Sequence, residues 1–279
     1  MDVLDEKVKK FSCVSFPFPK IIHQVWINDN PEIPDKWKES NIEWQRLHPD
    51  WLYVLWNREM ANELVSRHEP EFYKYYKAYP YEIQRIDSVR YCFLKRYGGL
   101  YSDLDTVPLK NLSNELLQCH APFFVNSYVS KLHFCNSFMG GVSGKYTRIW
   151  GDLIEECKKD KNWYCVGKLL TIMNTTGPNM MTRYLSNSNE PVVRLPHNLY
   201  NIKPGEVSRE FSLIKTLGGG SWHGLDSKVI NIISKVRAGV IILFILLILI
   251  IILLVVNYFK IKNIKVLGKC ECSTQSLKH

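Results

Sequence analysis

The chain of 279 residues lacks several features that mark common protein classes. It contains no internal repeat and no low-complexity tract, so neither a repeat architecture nor a disordered chain is expected. Its eight cysteines include no Cys-x-x-Cys pair and no matching histidine spacing, which argues against a zinc site and a disulfide scaffold. No basic face with interleaved aromatic residues stands out, so nucleic acid is not an expected partner.

The first residues, M-D-V-L-D-E-K-V-K-K-F, contain no apolar run of the kind found in secretory leaders. A cleavable signal peptide is therefore not expected, and residues 1–18 are interpreted as an N-terminal extension. Hydrophobic residues make up 46% and charged residues 23% of the chain, which suits one sizeable globular domain plus an accessory segment. We place that domain at residues 19–234.

The stretch from Tyr81 to Pro108 organises the domain. Apolar residues recur at three- and four-residue steps from Tyr81 to Tyr97, which predicts a helix. Gly98 and Gly99 are expected to end it, because glycine readily adopts the left-handed backbone of a helix C-terminus. The order of elements before and after this helix predicts an α/β fold with a mostly parallel central sheet.

A short strand is predicted from Leu100 to Asp105. Side chains alternate along a strand, so Tyr101, Asp103 and Asp105 should share one side. Two carboxylates placed in this way suit Mn²⁺ or Mg²⁺, whose remaining coordination positions can bind diphosphate oxygens. We therefore expect Asp103 and Asp105 to be metal ligands.

Asp87 and Arg90 lie on one face of the predicted helix, beside its apolar stripe. Taken alone, such a pair is an ordinary ion pair between neighbouring turns on a partly exposed flank. Its position just ahead of an Asp-x-Asp motif makes a role in a binding site the competing interpretation.

The assembly resembles the Asp-x-Asp glycosyltransferases of family 32, which include inositol phosphoceramide mannosyltransferases and initiating α-1,6-mannosyltransferases. It is also similar to the sugar-transferring domain of large clostridial toxins. The matching residues are Asp87, Arg90, Tyr91, Gly98, Gly99, Tyr101, Asp103 and Asp105. The resemblance implies one GT-A-type domain that binds a nucleotide-sugar, with catalytic roles for Asp87, Arg90, Asp103 and Asp105. It also implies that Asp87, Arg90 and Tyr101 contact the donor.

Two further segments extend the resemblance, one before the Tyr81–Pro108 stretch and one after it. His-x-Val-Trp-Ile forms the end of the first predicted strand, Lys20 to Ile27, and in these families Val25 would read the base through its backbone while Trp26 stacks on it. Core packing is the alternative for Trp26. The segment Asn-Ser-Phe-Met-Gly matches a family strand in which Asn136 would face the sugar, although the sequence alone leaves turn-capping open.

Residues 218–224, G-G-G-S-W-H-G, predict a flexible loop that can close over a bound donor. The resemblance implies that Ser221 and Trp222 contact the diphosphate and that His223 lies near the metal. A purely structural histidine stays open as the alternative.

Residues 239–257 are predicted to form a single transmembrane helix, because Gly239 to Val256 is an unbroken apolar run that can span a bilayer. Residues 258–279 are a short basic tail, and the lysines there favour a cytosolic tail with the catalytic domain across the membrane. The family resemblance points to the lumen of the Golgi or endoplasmic reticulum. A tail-anchored arrangement with a cytosolic domain stays open.

The expected function is that of a membrane-anchored, metal-dependent, retaining glycosyltransferase. It would move a hexose, with mannose favoured, from a nucleoside-diphosphate sugar to a lipid or glycan acceptor. Inositol phosphoceramide is one candidate acceptor. The resemblance favours GDP-mannose, with UDP-hexoses behind it. Two alternatives stay open: a non-catalytic membrane binding module, and a phosphatase in which Asp103 of an Asp-x-Asp-x-Thr motif is the nucleophile.

Overall fold

The structure is a computed structural model that describes residues 1–11, 18–127, 132–159, 167–197, 212–219, 239–240 and 242–257. It divides into two compact units, Met1–His223 and Gly224–His279. All the strands and numbered helices given below lie in the first unit.

The elements follow one another as alternating strands and helices. The strands among the described residues are β1 (Ile21–Val25), β2 (Leu52–Trp56), β3 (Gly99–Ser102), β4 (Thr106–Pro108), β5 (Phe123–Asn126), β6 (Phe134–Gly141), β7 (Val193–Leu195) and β8 (Ile214–Thr216). The helices there are α1 (Asp2–Phe11), α2 (Asp35–Leu47), α3 (Arg58–His68), α4 (Pro70–Ala78), α5 (Glu82–Tyr97), α6 (Ser113–Leu116), α7 (Ile149–Lys158), α8 (Gly167–Thr175) and α9 (Pro178–Asn187).

Six strands form the central sheet in the order β2-β1-β3-β6-β5-β7, and β4 pairs with β8 in a separate ribbon. The pairs β1/β2, β1/β3 and β5/β7 are parallel, as predicted for most of the sheet. Strand β6 differs from the predicted parallel arrangement, because it runs antiparallel to both β3 and β5. Parallel pairing of the first three strands brings their carboxyl ends to one edge, where α/β sheets bind ligands.

Helices cover both faces of the sheet. Alternating residues of β1 enter two separate cores, with Ile21 in one and Ile22 in the other. The first core packs helices α3, α5, α7 and α9 against the sheet, and Trp150 is fully buried there. The second core contains Trp44 of α2. The sheet is therefore held from both sides.

Helix α5 ends as the sequence predicted. Its C-terminal residue Tyr97 is followed by Gly98, whose φ is 67°, and Gly99, whose φ is 95°. A Cβ atom on Gly98 would lie 2.7 Å from the Ser143 nitrogen, and one on Gly99 would lie 2.6 Å from the Ile21 carbonyl oxygen. Both contacts are too short for any other residue, so glycine is required where the chain passes from α5 to β3.

His23 is buried beneath this turn. One ring nitrogen, Nε2, lies 2.9 Å from the Gly98 carbonyl oxygen, which can only accept, so Nε2 carries the proton. The other nitrogen, Nδ1, accepts from the Trp56 indole at 3.1 Å. Burial lowers the pKa of His23 to about 4, so the ring is neutral in the folded protein.

We expect His23 to make folding sensitive to acid. Between its ordinary value of 6.5 and its folded pKa of about 4, the unfolded chain binds a proton that the folded chain does not. The free energy of unfolding therefore falls as the pH falls through this window, by ~3 kcal/mol in total from this residue. The His23→Gln variant can keep one donor and one acceptor, and should lose that part of the dependence.

The measurement is denaturant unfolding of both proteins at pH 7 and pH 4.5. His120→Gln, at an exposed position, is the matched control and should keep the wild-type dependence. An unchanged difference between the two pH values in His23→Gln would contradict the assignment.

The second unit is described only at residues 239–240 and 242–257, which are helical. Apolar side chains there are exposed, Leu243 by 67% and Ile248 by 43%. In the part of the chain that the structure describes, which leaves out residue 241 of the span predicted at 239–257, no helix has both the length and the apolar character needed to cross a bilayer.

Candidate active site

The Asp-x-Asp motif forms a turn rather than the end of a strand. Strand β3 stops at Ser102, and the backbone N–H of Thr106 donates to the Asp103 carbonyl at 3.1 Å. The Thr106 hydroxyl donates to the same carbonyl at 2.7 Å. The predicted strand from Leu100 to Asp105 was therefore wrong beyond Ser102, because side-chain and backbone donors of Thr106 satisfy an acceptor that a longer strand would offer to its neighbour.

A buried polar network holds this turn in place. Gln24 of β1 donates to the Asp103 carbonyl at 3.2 Å, and Ser40 of α2 donates to the Thr106 carbonyl at 2.5 Å. Tyr53 donates in turn to the Gln24 amide oxygen at 2.6 Å. Sequence reasoning missed these residues. The available signal was a glutamine beside the histidine of the buried strand β1, since a buried polar group needs partners.

Arg90 is a buried cation that lies between the carboxylates of Asp87 and Asp103. Its guanidinium lies 3.1 Å from an Asp87 carboxylate oxygen and 3.4 Å from an Asp103 carboxylate oxygen. It also donates to the Asn136 carbonyl at 2.7 Å and lies 4.4 Å from the centre of the Tyr101 ring. Only 3% of the Arg90 side chain is exposed, so the simple surface ion pair is excluded.

Asp87 is buried and fully hydrogen-bonded. One carboxylate oxygen accepts from the Asn136 amide at 3.0 Å, and the other accepts from the Thr176 hydroxyl at 3.3 Å. Burial raises the pKa of Asp87 to about 6, with Arg90 opposing the rise. The structure thus brings Asp87, Arg90 and Asn136 together, as the resemblance implied. Direct contact of Asp87 and Asn136 with a sugar stays a prediction.

Tyr101 connects the ion pair to the motif. It is buried, and its hydroxyl donates to an Asp103 carboxylate oxygen. The other side of the Asp103 side chain remains accessible, with 31% of its area exposed. Arg90 and Tyr101 therefore orient Asp103 from behind and leave part of the carboxylate open.

The two carboxylates of the motif disfavour each other's charge. Burial raises the pKa of Asp105 to about 7, and the neighbouring Asp103 charge adds to that rise. Burial also raises the pKa of Asp103, while Arg90 lowers it. A divalent cation would relieve this repulsion, so the pair fits the metal that the family implies. Among the described residues, no group of three or more His, Cys, Asp or Glu side chains is placed to hold a metal ion.

Two cavities meet at Trp26. The smaller, about 120 Å³, is lined by Val25, Trp26, Trp37, Ile83, Ile86, Arg90, Tyr101, Asp103, Leu104, Asp105 and Gly219. The larger, about 510 Å³, is lined by Trp26, Asn28, Pro31, Leu55, Asn57, Arg58, Glu59 and Asn62. Trp26 is half-buried and packs edge-on against Trp37, with 5.8 Å between ring centres. The predicted base-stacking residue therefore adjoins the predicted metal ligands.

The chain after β8 closes onto the motif. Leu217 donates its N–H to the Asp105 carbonyl at 2.7 Å. A Cβ atom on Gly219 would lie 2.1 Å from an Asp105 carboxylate oxygen, so a larger residue there would have to displace the Asp105 side chain. The first described residues of the glycine-rich segment thus lie against the Asp-x-Asp turn. Ser221, Trp222 and His223 lie outside the described residues, and their predicted roles stay predictions.

Comparison with known proteins finds relatives that carry the Asp-x-Asp motif region. Residues 34–122 match the family described as the glycosyltransferase sugar-binding region containing DXD motif. A mannosyl phosphorylinositol ceramide synthase of Saccharomyces cerevisiae is 32% identical over 234 residues, covering 81% of this chain and 58% of that protein. An inositol phosphoceramide mannosyltransferase of Schizosaccharomyces pombe is 30% identical over 218 residues, covering 76% of this chain and 64% of that protein.

The chain spans about three fifths of the length of these two curated relatives. Among solved structures, the PaToxG glycosyltransferase aligns over 65% of this chain and 74% of that chain at 16% identity, with a TM-score of 0.45 that is too low to support inference. The matched region and the yeast relatives confirm the resemblance predicted from the motifs: this chain is similar to the DXD-containing glycosyltransferases.

Proposed function

We propose that the protein is a metal-dependent hexosyltransferase that moves mannose from a nucleoside-diphosphate sugar to a hydroxyl of a lipid or glycan acceptor. The observation that carries the proposal is the Asp103–Asp105 turn, which lines one cavity with Arg90 and Trp26. Carboxylates for a cation, a buried guanidinium and an aromatic face are the groups that recognise a nucleoside diphosphate.

Asp103 and Asp105 would hold Mn²⁺ or Mg²⁺, with further ligands from the diphosphate and water. When bound, the cation supplies charge neutralisation to the diphosphate as it departs. Arg90 adds a second positive charge on the same side of the cavity, fixed by Asp87 and Tyr101. Asp87 is a positioning residue in this scheme, because both its oxygens are engaged within the protein.

Mannose and a phosphoinositol-bearing lipid are favoured because the similar yeast proteins are named for transfer to inositol phosphoceramide. Membrane attachment through residues 239–257, with the catalytic domain in the lumen of the Golgi or endoplasmic reticulum, is part of the proposal. It rests on the apolar run in the sequence and its flanking lysines.

A donor and acceptor panel tests the proposal with the full-length chain. GDP-mannose, UDP-glucose and UDP-galactose are each supplied with Mn²⁺ and either inositol phosphoceramide or a mannose oligosaccharide. We expect mannosyl transfer from GDP-mannose to the lipid, lost on addition of EDTA and restored by Mn²⁺. Absence of transfer or hydrolysis with every donor would contradict the proposal.

A further inference from the structure

The larger of the two cavities has several polar side chains in its lining. It begins at Trp26, whose N–H donates to the Trp56 carbonyl at 2.9 Å and so continues the β1/β2 pairing to the last residue of β2. Its volume of about 510 Å³ lies within the range of ~300–1,000 Å³ that is usual for small-molecule sites. Trp26 lines both cavities, so a nucleotide whose diphosphate lies at Asp103 and Asp105 can extend its base past the indole into the larger one.

The wall of this cavity carries one uncompensated carboxylate. Glu59, in the first turn of α3, is exposed and has no hydrogen-bond or ion-pair partner among the described residues. The adjacent cation does not neutralise it, because Arg58 lies 2.7 Å from a Glu82 oxygen and 3.1 Å from an Asp29 oxygen. Glu59 therefore keeps both oxygens available to accept hydrogen bonds from a ligand.

Amide groups complete the wall. Asn62, one turn further along α3, is likewise without a hydrogen-bond partner in the described part of the chain, so its amide can donate and accept. The side-chain oxygen of Asn57 accepts a hydrogen bond from the Met60 N–H at 2.9 Å. The side-chain nitrogen of Asn57 is therefore the group that can donate to a ligand. Leu55 and Pro31 give the cavity an apolar surface against which a planar ring can lie.

From these groups we infer that Glu59 reads guanine and so makes the site selective for a guanosine diphosphate donor. The inference rests on the proposed function, since it assigns the base of that same donor. Guanine presents N1–H and the 2-amino group side by side, and a carboxylate can accept both in a bidentate pair. An amide donor such as that of Asn62 suits the neighbouring O6 acceptor.

Other bases fit this wall poorly. Adenine would direct its N1 lone pair at the carboxylate. Uracil offers one N–H flanked by two carbonyl oxygens, which would repel the second oxygen of Glu59. The Glu59 carboxylate would be fully hydrogen-bonded with guanine and would lack hydrogen-bond partners with adenine or uracil. That difference in binding free energy is the basis of selectivity.

Calorimetry on the full-length chain with Mn²⁺ tests the inference, using GDP, IDP and UDP as probes. IDP keeps N1–H but lacks the 2-amino group. The wild-type protein should bind GDP at least tenfold more tightly than IDP, because hydrogen bonds to a charged group are among the stronger ones. The Glu59→Gln variant should weaken GDP binding at least tenfold and bring the GDP and IDP affinities close together, with UDP affinity changed less than twofold.

Glu71→Gln is the matched control, because Glu71 is a 91% exposed carboxylate on α4 that does not line the cavity. It should leave all three affinities unchanged. The UDP measurement reports whether the site of Glu59→Gln is still intact. GDP affinity that is insensitive to Glu59→Gln, or UDP bound more tightly than GDP by the wild type, would overturn the base assignment alone. Failure of all three nucleotides to bind in a metal-dependent manner would overturn both this inference and the proposed transferase.

Discussion

Replacing Asp105 with asparagine is expected to reduce kcat/KM for mannosyl transfer by about 10³-fold or more, which corresponds to ~4 kcal/mol of transition-state stabilisation. The amide has the size of the carboxylate but lacks its charge, so it is a weak ligand for a hard cation. Asp105 lines the cavity beside Asp103, and Gly219 lies directly against its carboxylate. We therefore expect its contribution to be made through the cation and the diphosphate.

The same substitution should make the metal-free protein more stable, which separates a functional role from a structural one. Burial raises the folded pKa of Asp105 from its ordinary value of 3.8 to about 7, so the contribution of this group to the free energy of unfolding is lost as the pH rises from 3.8 to about 7. At pH 8 the ionised carboxylate opposes folding, and Asp105→Asn removes it. Thermal unfolding at pH 8 should show a higher Tm for the variant without metal.

The decisive comparison adds Mn²⁺ and GDP together. Binding should raise the Tm of the wild type, and it should leave the Tm of Asp105→Asn unchanged. Asp50→Asn, which removes a half-exposed carboxylate paired with Lys20, should behave as the wild type in activity and in ligand response. Wild-type turnover by Asp105→Asn would refute the metal assignment.

Replacing Arg90 with methionine is expected to lower the free energy of unfolding by about 3–5 kcal/mol at pH 8, the usual cost of leaving a buried charge without its partner. The variant leaves the buried Asp87 carboxylate without its ion-pair partner, and it also removes the cation beside Asp103. The Asn136 carbonyl loses its donor as well. Transfer activity should be lost together with stability, because Arg90 lines the same cavity as Asp103 and Asp105.

The cost should depend on pH in a defined direction. Asp87 already has a pKa raised to about 6, and loss of Arg90 will raise it further, so at pH 5 this carboxyl is protonated and needs no cation. We expect Arg90→Met to be destabilised less at pH 5 than at pH 8. A double variant with Asp87→Asn should recover part of the stability and show a coupling energy between the two positions.

Denaturant unfolding measures both effects. Arg46→Met is the matched control, since Arg46 is 62% exposed and pairs with Glu43 on the surface of α2. Exposed pairs contribute ~1 kcal/mol or less, so this variant should stay close to the wild type. A loss below ~1 kcal/mol in Arg90→Met would mean that the buried carboxylates find other partners.

The sequence alone was enough for the features that depend on local chemistry. The periodicity from Tyr81 to Tyr97 and the two glycines after it identified α5 and its end, because helix formation and a left-handed turn depend on nearby residues. The spacing of Asp87, Arg90, Asp103 and Asp105 sufficed to identify the family resemblance that the comparisons bear out.

The features that the sequence left open depend on residues far apart in the chain. Nothing local to β6 indicates that it runs antiparallel to β3, since its direction follows from the connection that precedes it. The turn at Asp103 was mistaken for strand because its donors and supports include Gln24 and Ser40, which are brought there only by packing of β1 and α2. The burial that perturbs the pKa of Asp87 has the same origin.

By itself the sequence determined which chemical groups this protein has, the helix that carries Asp87 and Arg90, and the order of its elements, because these follow from residue type and short-range geometry. Only the tertiary structure decided that the carboxyl ends of β1, β2 and β3 meet at one edge, so that Trp26, Glu59 and Asp103 surround adjoining cavities. The reason is physical: strand pairing and the burial of two apolar cores are long-range, and they alone set the distances between groups that the chain keeps far apart.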